Sequence, residues 1–307
     1  MLHRLTKKLM GSAFELLIVD DNAERAEVLL QKGVQEIQRI EQLLTEFSPD
    51  STTTLLNQSA GKKAVRVEPE VYALIQRCLH ISKLCQGAFD ITVGPLKRLY
   101  NFKQKTVPFP DKQTIELALA NVGYQHIHLQ DDFRVELKVP KMHLSFAAVG
   151  KGYAADQVRK LWLASGVQHG VINASGDLSV IGHRPDGELW KVGIAHPDQP
   201  EEMLFHLPLE AGSVATSGDY EQFFVKDGIR YSHNLNPMTG YPLTGIKSVT
   251  IFSPSAELCD ALATAVYVMG VEVGLHFINQ LPQTHCLIIG EQNEVFHSND
   301  INLTYAY

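Results

Sequence analysis

Apolar and polar residues recur along the chain at two spacings, one strand-like and one helical. The apolar run in Ser12–Val19 predicts a strand, and the polar residues 20–22 end it and offer an N-cap to the next element. Helical spacing then predicts a long amphipathic helix through Leu30, Val34, Ile37, Ile40 and Leu44. A second helix, with a C-cap expected at Gly87, is predicted by Val71, Leu74, Ile75, Cys78, Leu79 and Ser82.

Short strands joined by turns follow these helices. Residues 127–129 and 133–137 predict a hairpin that turns at Asp131 and Asp132, and residues 170–183 predict two strands around a tight turn. The segment at residues 246–255 predicts another strand. Many short strands with helices between them are typical of an α+β fold, in contrast to a doubly wound sheet.

Composition limits the classes of function. The 307 residues, 45% of them hydrophobic, suffice for one large domain or two. A net charge of −7 argues against a nucleic-acid surface, so a small molecule or a protein is the expected partner. The four cysteines show neither metal-ligand spacing nor a disulfide framework. Without a signal-like N-terminus or a membrane-length apolar run, we expect a cytoplasmic protein or the mature form of an exported one.

The loop at residues 231–242, YSHNLNPMTGYP, is the first candidate for chemistry. Gly240 can adopt positive φ, Pro237 and Pro242 fix φ, and His233 can transfer a proton near neutral pH. These residues indicate a rigid loop that carries a possible acid or base. A hairpin end with an incidental histidine is the simpler alternative.

Two further stretches suggest a ligand site. Asp90 lies in an otherwise apolar run and needs polar partners, which either the protein or a ligand could supply. The segment at residues 145–166 predicts a strand end that passes through small residues into a helix, with Lys151 at the helix start, where anions are favoured. Tight packing between a helix and a strand would explain the small residues equally well.

Polar residues near the C-terminus suggest a metal site. On a helix predicted at residues 257–272, Asp260 and Thr264 are four residues apart and share a face. A carboxylate and a hydroxyl are oxygen ligands of the kind that Mg²⁺ or Ca²⁺ takes. Alternatively, Asp260 is a favourable negative charge near a helix N-terminus. A polar turn is predicted at residues 216–219.

Seven motifs in this order resemble the ApbE family of FAD:protein FMN transferases: MGSAFEL, GAFDITVGPL, AAVGKGYAAD, NASGD, ATSGDY, SHNLNPMTGYP and DALATA. The resemblance implies one α+β domain over residues 1–307, a T-fold-like unit of mixed, mainly antiparallel sheets with flanking helices and a flavin cleft. It implies a bacterial enzyme that uses FAD and Mg²⁺, transfers FMN to a Ser or Thr hydroxyl of a target flavoprotein, and releases AMP.

The resemblance also implies residue roles. His233 is the expected catalytic histidine, and Asp260, Thr264 and Ala148 are the expected metal ligands. The positions expected to bind FAD are Met10, Phe47, Ala88, Phe89, Asp90, Lys151, Thr216, Ser217, Gly218, Asp219 and Leu235.

The chain departs from the family pattern at two positions. Asn236 and Ser145 stand where members usually have an aspartate, so each removes a carboxylate from the region of the site. Both residues can still form hydrogen bonds. The missing carboxylates leave a flavin-binding protein with little transferase activity as one alternative. The resemblance implies a second, an FAD pyrophosphatase that yields FMN and AMP, because some members of the family hydrolyse FAD.

Overall fold

The computed structural model describes residues 1–102, 109–218, 223–301 and 304–305, the side chains of Pro200, Thr304 and Tyr305 excepted. The helices are α1 (Ala23–Leu44), α2 (Thr52–Gln58), α3 (Pro69–Leu84), α4 (Gly94–Lys97), α5 (Lys112–Leu119), α6 (Gly150–Ala164), α7 (Ala256–Met269) and α8 (Val271–Ile278). The strands are β1 (Leu2–Leu9), β2 (Ser12–Val19), β3 (Val65–Arg66), β4 (Ile127–Gln130), β5 (Arg134–Leu137), β6 (Gly170–Ala174), β7 (Asp177–Ile181), β8 (Trp190–His196), β9 (Gln199–Leu209), β10 (Ala211–Gly218), β11 (Phe223–Lys226), β12 (Ile229–Ser232), β13 (Ile246–Ser253), β14 (His285–Gly290), β15 (Val295–His297) and β16 (Thr304–Tyr305).

One large sheet organises the fold. Its eight strands follow the order β1-β2-β6-β7-β10-β13-β14-β15, and smaller sheets pair β8 with β9 and β16, β5 with β3 and β4, and β11 with β12. These pairings are all antiparallel. The predicted α+β class with mainly antiparallel sheets is confirmed.

Both faces of the large sheet are buried, and the sequence of β2 shows why. Phe14, Leu16 and Ile18 face the main core under the helices, where each is at most 1% exposed. Leu17 and Val19 point to the opposite face and join the core beneath β8 and β9. A strand covered on both sides needs apolar residues at nearly every position, as the run AFELLIV provides.

Three helices, α1, α6 and α7, form the layer on one face of this sheet. The predicted stripe of α1 is buried, and Asn22 caps the helix by accepting a hydrogen bond from the Arg25 N–H. Trp162 of α6 packs beneath α1 and donates from its indole to the Leu29 carbonyl at 3.0 Å. The helical layer thereby becomes a rigid support for the ends of α6 and α7.

The N-terminal ends of α6 and α7 lie unusually close together. A Cβ atom at Gly152 would lie 2.2 Å from the Ala256 carbonyl oxygen, so the contact requires glycine. Asp156 of α6 accepts hydrogen bonds from the backbone N–H groups of Ala256 and Glu257, each at 2.9 Å, and thus caps α7. Close packing to α7 is therefore the reason for a small residue at Gly152.

Several local predictions require correction. Residues 216–218 belong to strand β10 and form no turn, because their backbone groups pair with β13. The helix expected at residues 257–272 ends at Met269, where Gly270 adopts φ of +81° and separates α7 from α8. Residues 147–149 form a turn before α6, and residues 145–146 belong to no strand, so the strand end expected there is absent. The predicted hairpin around Asp131 and Asp132 is confirmed.

The described residues were also searched for membrane-spanning helices. None of the helices in this part of the chain is both long enough and apolar enough to cross a bilayer.

Candidate active site

One cavity of about 660 Å³ opens among α4, the N-terminal ends of α6 and α7, the end of β10 and the loop after β12. Its walls bring together most residues to which the sequence assigns a role. These are Phe47, Ala88, Phe89, Asp90, Ala148, Lys151, Thr216, Ser217, Gly218, His233, Leu235, Asp260 and Thr264. Segments separated by more than two hundred residues in sequence therefore contribute to one site.

Two predicted residues stand apart from this set. Met10 adopts φ of 49° in the turn between β1 and β2, and its side chain lies next to Gly150 at the start of α6, behind the cavity wall. Asp219 lies outside the described residues. Phe47 does line the cavity, and its side chain is 90% exposed to solvent there.

Hydrogen bonds within the loop fix the conformation of the segment that carries His233. The Asn236 side-chain oxygen accepts hydrogen bonds from the backbone N–H groups of Met238 at 2.9 Å and Thr239 at 3.2 Å. Gly240 adopts φ of +78°, and its carbonyl accepts from the Tyr100 hydroxyl at 2.9 Å. Asn236 thus shapes the loop through its side-chain oxygen, a task that the usual aspartate could also perform.

Aromatic side chains support this loop from behind. Phe224 stacks on Tyr231 across the β11–β12 hairpin, with ring centroids 5.2 Å apart, and Phe109 packs edge-on against both rings. The Phe102 ring lies edge-on to His233 at a centroid distance of 6.5 Å. The Asn234 amide donates to the Ser217 hydroxyl at 3.2 Å and so ties the loop to β10. His233 consequently lies at the cavity wall on a braced segment.

The proposed metal ligands lie where α6 and α7 meet. Asp260 and Thr264 line the cavity from successive turns of α7, and Ala148 lines it just before α6. The Asp260 carboxylate is buried and accepts the Gly152 N–H at 3.2 Å. In the described ranges, no group of three or more His, Cys, Asp and Glu side chains could hold a metal ion. The Thr264 hydroxyl and an oxygen of Ala148 are further donors of the types that Mg²⁺ accepts.

Asp90 lines the cavity but is largely committed to the protein. Its Oδ1 accepts from the Thr92 backbone N–H at 2.8 Å and from the Thr92 hydroxyl at 2.7 Å. Its Oδ2 accepts from the Tyr124 N–H at 2.8 Å. Burial raises the pKa of the Asp90 carboxyl, and these hydrogen bonds oppose that rise. Asp90 therefore shapes the segment of Ala88 and Phe89, which also line the cavity.

Lys151 forms an ion pair that the sequence did not predict. Its Nζ lies 2.9 Å from Oδ2 of Asp177, the first residue of β7, whose side chain is 2% exposed. The NASGD motif was associated with the family, but no role was assigned to its aspartate. Since Asp177 follows a two-residue turn, only the folded sheet brings it under the start of α6.

A charged cluster on another part of the wall was also missed. Glu46 accepts from His143 Nε2 at 2.7 Å and from the Ser145 hydroxyl at 3.0 Å. The hydrogen bond from His143 lowers the pKa of the Glu46 carboxyl more than burial raises it. Arg98 adds a positive charge, since its guanidinium lies 2.8 Å from His143 Nδ1, and Lys97 of α4 lines the cavity together with Glu46. Ser145, in place of the usual aspartate, was the available signal that another carboxylate could lie nearby.

Comparison with known proteins identifies the family of the chain. Residues 10–288 match a family model described as the ApbE family. An FAD:protein FMN transferase of Klebsiella pneumoniae is 31% identical over 301 residues, which cover 97% of this chain and 92% of that protein. An FAD:protein FMN transferase of Treponema pallidum is 30% identical over 284 residues, which cover 87% and 78%.

Solved structures have the same fold. A crystal structure of the ApbE protein from Thermotoga maritima superposes with a TM-score of 0.89 at 30% identity, over 97% of each chain. The apo form of the flavinyl transferase ApbE from Pseudomonas stutzeri gives 0.86 at 28% identity, over 97% of this chain and 95% of that one. The family match, the relatives and the fold agree, and the chain belongs to the ApbE family.

Proposed function

We propose that this protein is an FAD:protein FMN transferase that uses Mg²⁺, attaches FMN to a Ser or Thr hydroxyl of a target flavoprotein, and releases AMP. The observation that carries the proposal is the shared cavity. His233, Lys151, Asp260 and Thr264 line it together, although they come from separate segments of the chain. The names of the similar proteins support the transfer of FMN from FAD to a protein.

The cavity offers different surroundings to different parts of FAD. Ala88, Phe89 and Leu235 contribute apolar surface suited to a flat ring, and exposed Phe47 can cover it. The N-terminus of the 15-residue helix α6 and Lys151 favour an anionic group. The diphosphate of FAD would therefore lie toward α6, with the flavin toward the apolar residues.

His233 acts on the acceptor in this mechanism. It takes the proton of the acceptor hydroxyl as that oxygen attacks the phosphorus of the FMN half of FAD. A new ester bond forms between the hydroxyl oxygen and phosphorus, the bond to the bridging oxygen breaks, and AMP leaves with that oxygen. The braced loop at residues 231–242 holds the imidazole in position for this transfer.

The N-terminal ends of α6 and α7 would bind the diphosphate of FAD and its metal ion. The Asp260 carboxylate, the Thr264 hydroxyl and an oxygen of Ala148 would hold Mg²⁺, which when bound neutralises charge on the non-bridging phosphate oxygens. Gly152 allows α6 and α7 to approach closely, and its N–H fixes one oxygen of Asp260. Lys151, held by Asp177, would add a positive charge at the start of α6.

The test combines the purified protein with FAD and Mg²⁺, with and without an acceptor protein that carries a Ser or Thr flavinylation site. AMP release and the mass of the acceptor are followed together. We expect AMP release that depends on the acceptor and an acceptor mass that increases by one FMN. AMP without acceptor modification would indicate a pyrophosphatase, and intact FAD under all conditions would indicate a flavin-binding protein.

A further inference from the structure

A second lysine, Lys97, lines the cavity, and the proposed reaction assigns no role to it. It is the last residue of the short helix α4 and lines the same cavity as Lys151 at the start of α6. Its segment is tied to the other charged residues by a backbone bridge between Val93 and His143. Lys97 is half-buried, so its ammonium group has lost part of its hydration.

Two carboxylates act on this ammonium group through space. Burial lowers the pKa of Lys97, and the charges of Glu46 and Asp260 oppose that effect. Both Glu46 oxygens already accept hydrogen bonds, one from His143 and one from Ser145. Asp260 Oδ2 accepts the Gly152 N–H. The two carboxylates therefore stabilise the protonated form of Lys97, although their hydrogen bonds are made to other groups.

Lys97 therefore differs from Lys151. Lys151 already has a carboxylate partner, Asp177, at 2.9 Å. Across the described ranges, the Lys97 ammonium neither donates a hydrogen bond nor forms an ion pair within 4.0 Å. A partly desolvated ammonium at a cavity wall gains most from an anionic oxygen that enters with a ligand.

We propose that Lys97 binds a phosphate oxygen of the diphosphate in the flavin substrate and so helps to select dinucleotide over phosphate-free flavin. The inference rests on the proposed function, since it takes FAD as the occupant of this cavity. Glu46 is a positioning residue here. Fixed by His143 and Ser145, it keeps a negative charge near Lys97 without forming a hydrogen bond that would compete with the phosphate.

The test compares the binding of FAD with that of riboflavin, which has the ring but no phosphate. Dissociation constants are measured without acceptor and without added metal for the wild-type protein, Lys97→Met and Lys97→Arg. We expect Lys97→Met to weaken FAD binding by about tenfold to a hundredfold, the value of one charge-assisted hydrogen bond, and riboflavin binding by less than about twofold. Lys97→Arg keeps the charge and should retain most of the FAD affinity.

Lys83→Met is the matched control, because Lys83 is an exposed lysine on α3 and does not line the cavity. It should bind both ligands like the wild-type protein. Equal losses for FAD and riboflavin in both Lys97→Met and Lys97→Gln would give Lys97 a structural role and overturn the inference. Unchanged FAD affinity in Lys97→Met would also overturn it.

The binding test and the transfer assay can fail separately. Selective loss of FAD affinity in Lys97→Met would support the inference even if the wild-type protein transferred no FMN to an acceptor, and only the proposed function would then be rejected. Acceptor-dependent transfer by the wild-type protein, together with normal FAD binding by Lys97→Met, would reject only the role of Lys97.

Discussion

Two walls of the same cavity are built in different ways. In the helix wall, Asp260 lines the cavity, and Gly152 and Asp156 fix the ends of α6 and α7 that carry this wall, where backbone groups satisfy the two carboxylates. The charged wall is formed by Glu46 and Lys97, which line the cavity, together with His143 and Ser145, whose side chains from another segment form hydrogen bonds to Glu46. The helix wall coincides with family motifs, whereas the charged wall includes the departure at Ser145.

This difference suggests a division of labour. Backbone hydrogen bonds and close helix packing leave the helix wall little freedom, as a site for charge neutralisation requires. The charged wall is held through side chains, so a substitution there can change the fit of the substrate while the rest of the site stays in place. We therefore expect variants of the helix wall to stop the reaction, and variants of the charged wall to change affinity and stability.

The largest effect is expected from Asp260→Ala in the helix wall. Loss of the carboxylate removes a proposed Mg²⁺ ligand, which should lower turnover by roughly a thousandfold or more while some FAD binding remains. Turnover is measured as AMP release over a range of Mg²⁺ concentrations, and thermal unfolding confirms that the variant is folded. Turnover equal to that of the wild-type protein would remove the metal assignment and with it the chemical role of this wall.

His233→Ala tests whether the braced loop belongs with the helix wall in function. Loss of the proposed proton acceptor should lower kcat by about a hundredfold to ten-thousandfold, and FAD affinity should change far less. Single-turnover rates and FAD dissociation constants measured on the same preparation separate the two effects. Equal losses in rate and affinity would make His233 a binding residue.

Gly152→Ala tests the packing on which the helix wall depends. The new Cβ would meet the Ala256 carbonyl oxygen at 2.2 Å, so α6 and α7 must separate, and we expect a loss of about 1–3 kcal/mol in the free energy of unfolding. Gly150→Ala is the matched control in the same helix, because its nearest contact would be Met10 Cε at 3.4 Å. Similar denaturation midpoints for both variants would contradict a packing role for Gly152.

Much of the helix wall could be predicted from the sequence because its signals are local. Asp260 and Thr264 are four residues apart on one strongly apolar helix, and the small residues before α6 stand out in the chain. The partner of Gly152 could not be predicted, because Ala256 is over a hundred residues away and only the fold brings them together. The turn expected at residues 216–219 was wrong at residues 216–218 for a related reason: pairing with β13 overrides the local preference of a polar sequence.

The charged wall could not be predicted, because no local pattern links its members. Glu46 ends a polar stretch after α1, Lys97 ends α4, and His143 precedes α6 by several residues. Asn57 of α2, an element that the sequence did not reveal, clamps this segment by bonding to both the N–H and the carbonyl of Leu144. Side-chain networks of this kind depend on tertiary structure, so only the departure at Ser145 pointed to the region.

Glu46→Gln gives the smallest expected effect and examines the charged wall through pH. Because the hydrogen bond from His143 lowers the pKa of Glu46 below its ordinary value of 4.5, the ionised carboxylate stabilises the folded protein. This stabilisation is fully present above the ordinary carboxyl pKa and is lost as pH falls through the lowered one. We expect Glu46→Gln to reduce the free energy of unfolding by about 1 kcal/mol at pH 7.

The difference between wild-type protein and Glu46→Gln should stay constant from neutral pH down to about pH 5 and shrink at lower pH, as measured by chemical denaturation at a series of pH values. Glu291→Gln removes one exposed carboxylate elsewhere and should stay within about 0.5 kcal/mol of the wild-type protein. A Glu46→Gln difference that persists unchanged in acid would mean that shape, and not the charge of Glu46, stabilises this wall. The charged wall would then resemble the helix wall, and the proposed division between them would fail.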